Sequence, residues 1–292
     1  MNNLESNNIK LGFHANKEKS YYNTIKINYE TNESNAFQIF IGSPKSYKRP
    51  ELDINNNDVI KTQKYIKDNN IFLVSHSPYL YNIANELGEN EKTLEAIITD
   101  INNIVKLGGI GTIVHVGKHL HRDEEKCVLN MYNSIRFAIQ NTDSGFFILE
   151  TPAGCGTELC KTIEELADLY DKFNEEEKKR VKLCVDTCHI FSAGYDLNTI
   201  ESVNEYIENF DNFIGWENVC VIHFNNSMRE CGSGIDRHDN IKNGKINEIS
   251  LIYFAKKIIK FNIPIILETP LNIPRKEEIN YLKNSLNNLS FK

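Results

Sequence analysis

The sequence predicts an α/β fold, a (β/α)8 TIM barrel in a single domain over residues 1–292, on three observations. Eight short runs rich in β-branched and aromatic residues recur at even intervals. Segments of mixed polar and apolar character, several with helical period, separate them. No glycine-rich phosphate loop follows the first run, where "GFHANKEKS" stands instead. An open doubly wound sheet shares the same periodicity and is the alternative, but it would more often carry such a loop.

The strands are expected at 11–14 (LGFH), 37–42 (FQIFIG), 71–76 (IFLVSH), 111–117 (GTIVHVG), 145–150 (GFFILE), 181–187 (VKLCVDT), 219–226 (VCVIHFNN) and 263–270 (IPIILETP). Their near-continuous apolar character, with no alternating solvent face, marks parallel strands covered on both sides. After the first strand, 15–36 is polar and predicts only a poor helix. Residues 51–69 fill the second crossover. The third, 91–108, sets Leu94, Ile97, Ile98, Ile101 and Ile104 along one stripe and stops at Gly108–Gly109. Residues 122–140 fill the fourth. The fifth opens at Thr162, with Glu165 at the capping-box spacing. Residues 248–261 carry the last crossover.

A chain of 292 residues can bury a large core in one such barrel. No run reaches the roughly 18 to 20 apolar residues of a membrane helix. The opening "MNNLESNNIK" has no apolar signal segment, so an intracellular, non-secreted protein is expected. Seven cysteines without a CxxC pair read as free thiols. A formal charge of −7 argues against a nucleic-acid binder, although that sum counts no metal ions.

Polar residues fall where the runs end. His76 ends the third, His115 lies in the fourth, Glu150 ends the fifth, and Asp186 the sixth with His189 just beyond. His223 lies in the seventh, Asp236 and His238 in the loop after it, and Glu268 near the end of the eighth. In a barrel all these strand ends open onto one mouth. A lone histidine is ordinarily just hydrogen-bonded, and His119 and His121 read as solvated loop residues. Nine clustered imidazoles and carboxylates would repel or desolvate one another without cations. His14, at the end of the first strand, is set apart from the nine.

Zinc accepts both ligand types, typically three protein ligands to an open site. Nine ligands divide by three, or less evenly if a carboxylate bridges. A multinuclear hydrolytic site is expected, in which adjacent ions activate water and hold the oxygens of a phosphodiester. Cys184 should share the facing of Asp186 and is a minor ligand candidate, while Cys188 reads as packing.

Across nearly the whole chain these residues resemble the endonuclease IV family of zinc-dependent apurinic/apyrimidinic (AP) endonucleases. The matching stretches are "FQIFIGSPKSY" (37–47), "HSPY" (76–79), "VHVG" (114–117), "LETPAGCGTEL" (149–159), "CVDTCHIFSAGYD" (184–196), "HFNNS" (223–227), "GSGIDRHDNIKNGKI" (232–246) and "ILETP" (266–270). The resemblance implies three Zn2+ ions per chain, with Mn2+ able to replace one. His76, His115 and Glu150 would hold the first. Glu150 would bridge to a second, held also by Asp186, His223 and Glu268, and His189, Asp236 and His238 would hold the third. Glu150 and Glu268 would also orient the attacking water.

The activity implied is base-excision repair, as a class II AP endonuclease cutting 5′ to an abasic site in duplex DNA. It would leave a 3′-hydroxyl and a 5′-deoxyribose phosphate, and would also trim blocked 3′ ends. Tyr79 and the loop residues Lys45, Tyr47, Lys48 and Arg49 match DNA-probing positions, and Arg237 is a candidate backbone-phosphate contact. A monomer is expected.

Three stretches depart from the family pattern. "ANKEKSY" follows His14 where small residues and a glycine pair are usual, Asn226 stands for an Asp, and Gly244 is the one glycine left in "NIKNGKI". The rival readings are a sugar isomerase on the same barrel, for which a third His-Asp-His set would be surplus, and a DNA- or metal-binding protein with a structural cluster.

Overall fold

Eight parallel strands close on themselves in the computed structural model, which describes residues 9–288. Most of the "MNNLESNNIK" opening and the last four residues lie outside that range. The strands are β1 (Leu11–His14), β2 (Ala36–Ile39), β3 (Phe72–His76), β4 (Gly111–His115), β5 (Phe146–Glu150), β6 (Val181–Asp186), β7 (Val219–His223) and β10 (Ile265–Leu267). Their order around the closed barrel is β1-β10-β7-β6-β5-β4-β3-β2. The expected barrel is therefore present, and the open sheet is not. A two-residue antiparallel ribbon, β8 (Asn226–Ser227) with β9 (His238–Asp239), closes the long loop after β7.

The crossovers are α1 (Tyr21–Asn32), α2 (Asn57–Asp68), α3 (Glu91–Lys106), α4 (Glu124–Gln140), α5 (Ile163–Tyr170) with the single turn α6 (Glu175–Lys178), and α7 (Thr187–Ala193) with α8 (Ile200–Phe213). The last two helices are α9 (Glu248–Ile258) and α10 (Arg275–Asn288). α3 buries Leu94, Ile97, Ile101 and Ile104 of its expected stripe, and Thr162 and Glu165 form the expected capping box on α5.

α1 is a better helix than its composition predicts. Its own N-cap, Ser20, accepts from Asn23 N at 3.1 Å. A second cap comes from α2, where the Asp58 carboxylate accepts from Tyr21 N and Tyr22 N, each at 2.9 Å. Satisfying two free N–H groups from a distant residue stabilises a helix that local propensity leaves marginal.

The core has two layers. One fills the space between strands and helices, where Phe37, Phe147, Phe210 and Trp216 are fully buried. The other, inside the barrel, comprises Ala36, Val74, Ile113, Ile148, Cys184, Val221 and Ile266. This inner layer is an apolar floor beneath the mouth. Among the described residues, no helix is long and apolar enough to cross a membrane, and all seven cysteines are free thiols.

Candidate metal centre

Strand ends place the site. His76, His115, Glu150, Asp186 and His223 are the last residues of β3 to β7, and Glu268 directly follows β10. Asp186 also caps α7, its Oδ1 accepting from Cys188 N at 2.7 Å and His189 N at 3.1 Å. That tight strand-to-helix turn brings His189 back over the mouth. Asp236 and His238 arrive from the loop that the β8–β9 ribbon closes.

The side chains meet in three sets, each with its ligand atoms within 4.8 Å of one another. These are His76, His115 and Glu150; Glu150, Asp186, His223 and Glu268; and His189, Asp236 and His238. Glu150 belongs to two of them. Its Oε2 lies 3.2 Å from His76 Nε2 and 3.4 Å from His115 Nε2, while its Oε1 lies 2.6 Å from His223 Nδ1. In the third set Asp236 reaches His189 Nε2 at 3.3 Å and His238 Nε2 at 3.1 Å.

Partners outside the sets orient the imidazoles. His76 Nδ1 donates to Ser77 O at 2.7 Å and His189 Nδ1 to Thr151 O at 2.8 Å, turning each Nε2 toward the carboxylates. His223 is reversed. Its Nε2 donates to Gln38 Oε1 at 2.7 Å, so Nδ1 faces Glu150 and Glu268. Such outer contacts fix tautomer and ring direction in metal sites.

The buried Nε2 atoms of His115, His189 and His238 have no hydrogen-bond partner. Buried nitrogens left unpaired but aimed at carboxylates fit a bound cation. With oxygen and nitrogen donors grouped in this way, the residues present suit divalent metal.

Electrostatics make the same point. Burial opposes charge on His223 and His238, yet the surrounding carboxylates push both up to about 9, Glu268 leading for the first and Asp186 for the second. Burial also resists an ionised Asp236, but His189 and His238 hold it well below the usual carboxylate range. His115 is pulled down to about 4 by burial, which leaves a neutral imidazole able to ligate. Metal-free, the pocket must share protons among its own ligands; cations supply that charge directly.

Sequence reasoning missed two buried side chains that hold the ligands. Gln38 Nε2 donates to Glu268 Oε1 at 2.6 Å and to His14 Nδ1 at 2.7 Å, which makes it a strut across the mouth. Asn225 Nδ2 donates to Asp186 Oδ2 at 2.8 Å, and its Oδ1 accepts from Glu268 N at 2.8 Å. A glutamine inside the apolar run "FQIFIG" was the available signal for the first. Cys184 does share the facing of Asp186, and its sulfur lies with the ligand atoms of Glu150 and His223, but burial holds the thiol well above its usual range. Cys188 is fully buried, and its sulfur falls near the ligand atoms of Asp186 and His238; burial pushes that thiol up to about 12.

Among the residues expected to meet DNA, Tyr79 is 65% exposed, with its ring 5.7 Å from those of His76 and His115. Lys45, Tyr47 and Lys48 are exposed on the loop after β2, and Arg237 is exposed between Asp236 and His238. Arg49 differs from the expectation. Its side chain is 2% exposed and turned inward, with Nε 3.6 Å from Asp100 Oδ2 and 3.0 Å from Tyr81 Oη. A guanidinium so enclosed does not reach a phosphate.

Asn226, where the family has Asp, is buried. Its Nδ2 donates to Ile241 O and Ile246 O, and its Oδ1 accepts from Ile246 N at 2.8 Å. A carboxylate would set oxygen against both carbonyls, so the amide suits the shape of this loop.

Comparison with known proteins agrees with the barrel. The family model for xylose isomerase-like TIM barrels matches residues 31–285. The chain is 31% identical over 292 residues to the putative endonuclease 4 of Acanthamoeba polyphaga mimivirus, covering 95% of this chain and 92% of that one. It is 30% identical over 272 residues to the apurinic-apyrimidinic endonuclease of Caenorhabditis elegans, covering 91% and 67% respectively. The crystal structure of endonuclease IV from Thermus thermophilus is similar, with a TM-score of 0.80 and 26% identity over 95% of this chain and 98% of that one. On the barrel, its ligand sets and these relatives together, the chain belongs to the endonuclease IV family of xylose isomerase-like TIM barrels.

Proposed function

We propose that the chain is a class II AP endonuclease, which hydrolyses the phosphodiester 5′ to an abasic site in duplex DNA and leaves a 3′-hydroxyl and a 5′-deoxyribose phosphate. The observation that carries this reading is Glu150, shared between two ligand sets at one mouth with a third set beside them. Three Zn2+ ions suit those sets, with Mn2+ able to replace one, and when bound they supply Lewis acidity and an activated water.

The residues do the rest. Glu150 and Glu268 project carboxylates into the mouth from their strand ends and orient the attacking water. Asn225 and Gln38 keep Asp186, His223 and Glu268 in place. His189, Asp236 and His238 form the outer set, where the departing 3′-oxygen would be stabilised. Tyr79 stands beside His76 and His115 and suits a wedge at the lesion. An abasic nucleotide has lost its stacking, so turning it toward the site costs little. Lys45, Lys48 and Arg237 suit backbone phosphates, which position a duplex without reading sequence.

The formal charge is consistent with DNA binding once metal is counted. Three dications bring six positive charges against the four carboxylates already included, so the total moves from −7 to −1 and the mouth becomes net positive. The same site would accept blocked 3′ termini, and no second chain is needed to complete it.

The test is to count bound metal per chain and assay a duplex carrying one abasic analogue. Three equivalents of zinc and a single nick with a 3′-hydroxyl are expected. Metal-replete protein that leaves the duplex intact while interconverting an aldose and a ketose would overturn the reading in favour of a sugar isomerase.

A further inference from the structure

We infer that Asp100 and Asn103, on the outer helix α3, are positioning residues that set both loops read above as facing DNA. The inference rests on that functional reading and adds residues that touch neither a metal ligand nor the mouth.

The loop after β2 carries Lys45, Tyr47 and Lys48 outward and Arg49 inward. Arg49 Nη2 donates to Ser43 O at 3.0 Å and also to Ser46 O, so the guanidinium folds the loop around itself. Gly42 makes room for it, since a Cβ there would lie 2.6 Å from Arg49 Nη1. Asp100 is the counter-ion. It is 1% exposed, and neither of its carboxylate oxygens has a hydrogen-bond partner. Burial pushes its carboxyl up to about 7 against the pull of Arg49, so the pair is fully charged only on the alkaline side of neutrality.

One turn further along α3, Asn103 Oδ1 accepts from Leu52 N at 3.0 Å and Asn103 Nδ2 donates to Pro50 O at 2.6 Å. Lys106 Nζ donates to Leu52 O at 2.9 Å. Asp100, Asn103 and Lys106 follow at three-residue steps, so one face of α3 grips successive residues of the incoming chain.

The grip extends to the second loop. Tyr81, whose hydroxyl accepts from Arg49 Nε, stacks on Tyr47 with ring centroids 5.4 Å apart. Tyr47 Oη in turn donates to Leu80 O at 3.1 Å. Tyr79 is the neighbour of that carbonyl's residue. The Asp100–Arg49 pair thus braces the lysine-bearing loop and the Tyr79 loop against each other.

A buried ion pair adds little net stability but penalises every arrangement that separates its charges. If Asp100 loses its charge, Arg49 is a buried cation without a counter-ion, and it reaches water most readily by carrying its loop outward. The barrel and the metal ligands need not move.

The experiment compares wild type with Asp100→Asn, Arg49→Gln and the double variant, all metal-loaded and at about pH 8, where the carboxylate is ionised. Without DNA, trypsin cleavage after Lys45 and Lys48 should quicken about tenfold in Asp100→Asn, because local opening governs such nicking. On an abasic duplex, KM should rise about tenfold with kcat and bound metal unchanged, the signature of lost substrate binding. The double variant should be no worse than the single ones in nicking, since the pair acts as a unit.

Asn103→Leu, which keeps the ion pair but loses the grip on Pro50 and Leu52, should show the same pattern more weakly. It serves as the second test if Asp100→Asn does not fold. Unchanged nicking in both variants would overturn the inference, and so would lower kcat and metal content at constant KM. If wild type itself fails to cut the abasic duplex, the functional reading falls, while the nicking comparison still decides whether α3 holds the loop.

Discussion

The floor and the mouth of the barrel are made by the same strands, two residues apart. Val74, Ile113, Ile148, Cys184, Val221 and Ile266 belong to the apolar floor. Two positions on stand His76, His115, Glu150, Asp186, His223 and Glu268. Ala36 and Gln38 repeat the pair on β2. Side chains two apart on a strand face the same way and are separated by about 6.6 Å along it. Over that short step the interior passes from apolar packing to a set of titratable groups. The floor contributes to stability by burial, whereas the mouth carries desolvation costs that bound cations would offset. Because the floor is apolar and buried, charges above it couple strongly.

The sharpest way to break this contrast is Glu150→Ala. It removes the carboxylate shared by two ligand sets, and a loss of several kcal/mol in transition-state stabilisation corresponds to about a thousandfold or more in incision rate. At least one bound zinc should be lost as well. Near-normal incision with full metal content would end the assignment of Glu150 as a bridge.

Ile148→Ala, two residues earlier, should act in the opposite sense. A large-to-small change in a packed core costs about 2 to 5 kcal/mol of stability, read as a lower urea midpoint. Metal content and incision per folded molecule should stay close to wild type. Loss of metal at unchanged stability would show that floor and mouth are not separable.

Gln38→Leu probes the boundary itself. It keeps the volume but removes the bonds to His223 and Glu268, and loss of such an outer partner weakens metal binding about 10- to 100-fold. Competition with a chelator measures this. Stability of the metal-free protein should fall by about 1 to 3 kcal/mol, because the buried His223 Nε2–H loses its acceptor and Glu268 Oε1 a donor.

Legibility in the sequence followed the range of the forces involved. Strand positions were readable because a run of five or six apolar residues is a local property. The nine candidate ligands were readable as a cluster because each lies in such a run near its end or in the loop beyond it, and a barrel gathers those ends. α1 was underestimated because two of its three side-chain-capped N–H groups are bonded by Asp58, beyond any local window. Arg49 was expected to meet DNA because, with Lys45, Tyr47 and Lys48, it matches a DNA-probing loop of the family. Its inward turn depends on Asp100 and Tyr81, which approach only in the folded chain. Gln38 and Asn225 were passed over because an amide carries no charge to announce a site.

By itself, then, the order of residues determined eight strands, their crossovers and a crown of imidazoles and carboxylates at one end. The family resemblance implied how that crown divides into sets; only the tertiary structure decided which nitrogen of each ring faces inward and which basic residues stay exposed. The physical reason is that burial and periodicity are encoded over a few neighbouring residues. Counter-ions, remote caps and several ring contacts are set by distant partners, as with Asp58 at Tyr22, 36 residues away, and Gln38 at His223, 185 residues away.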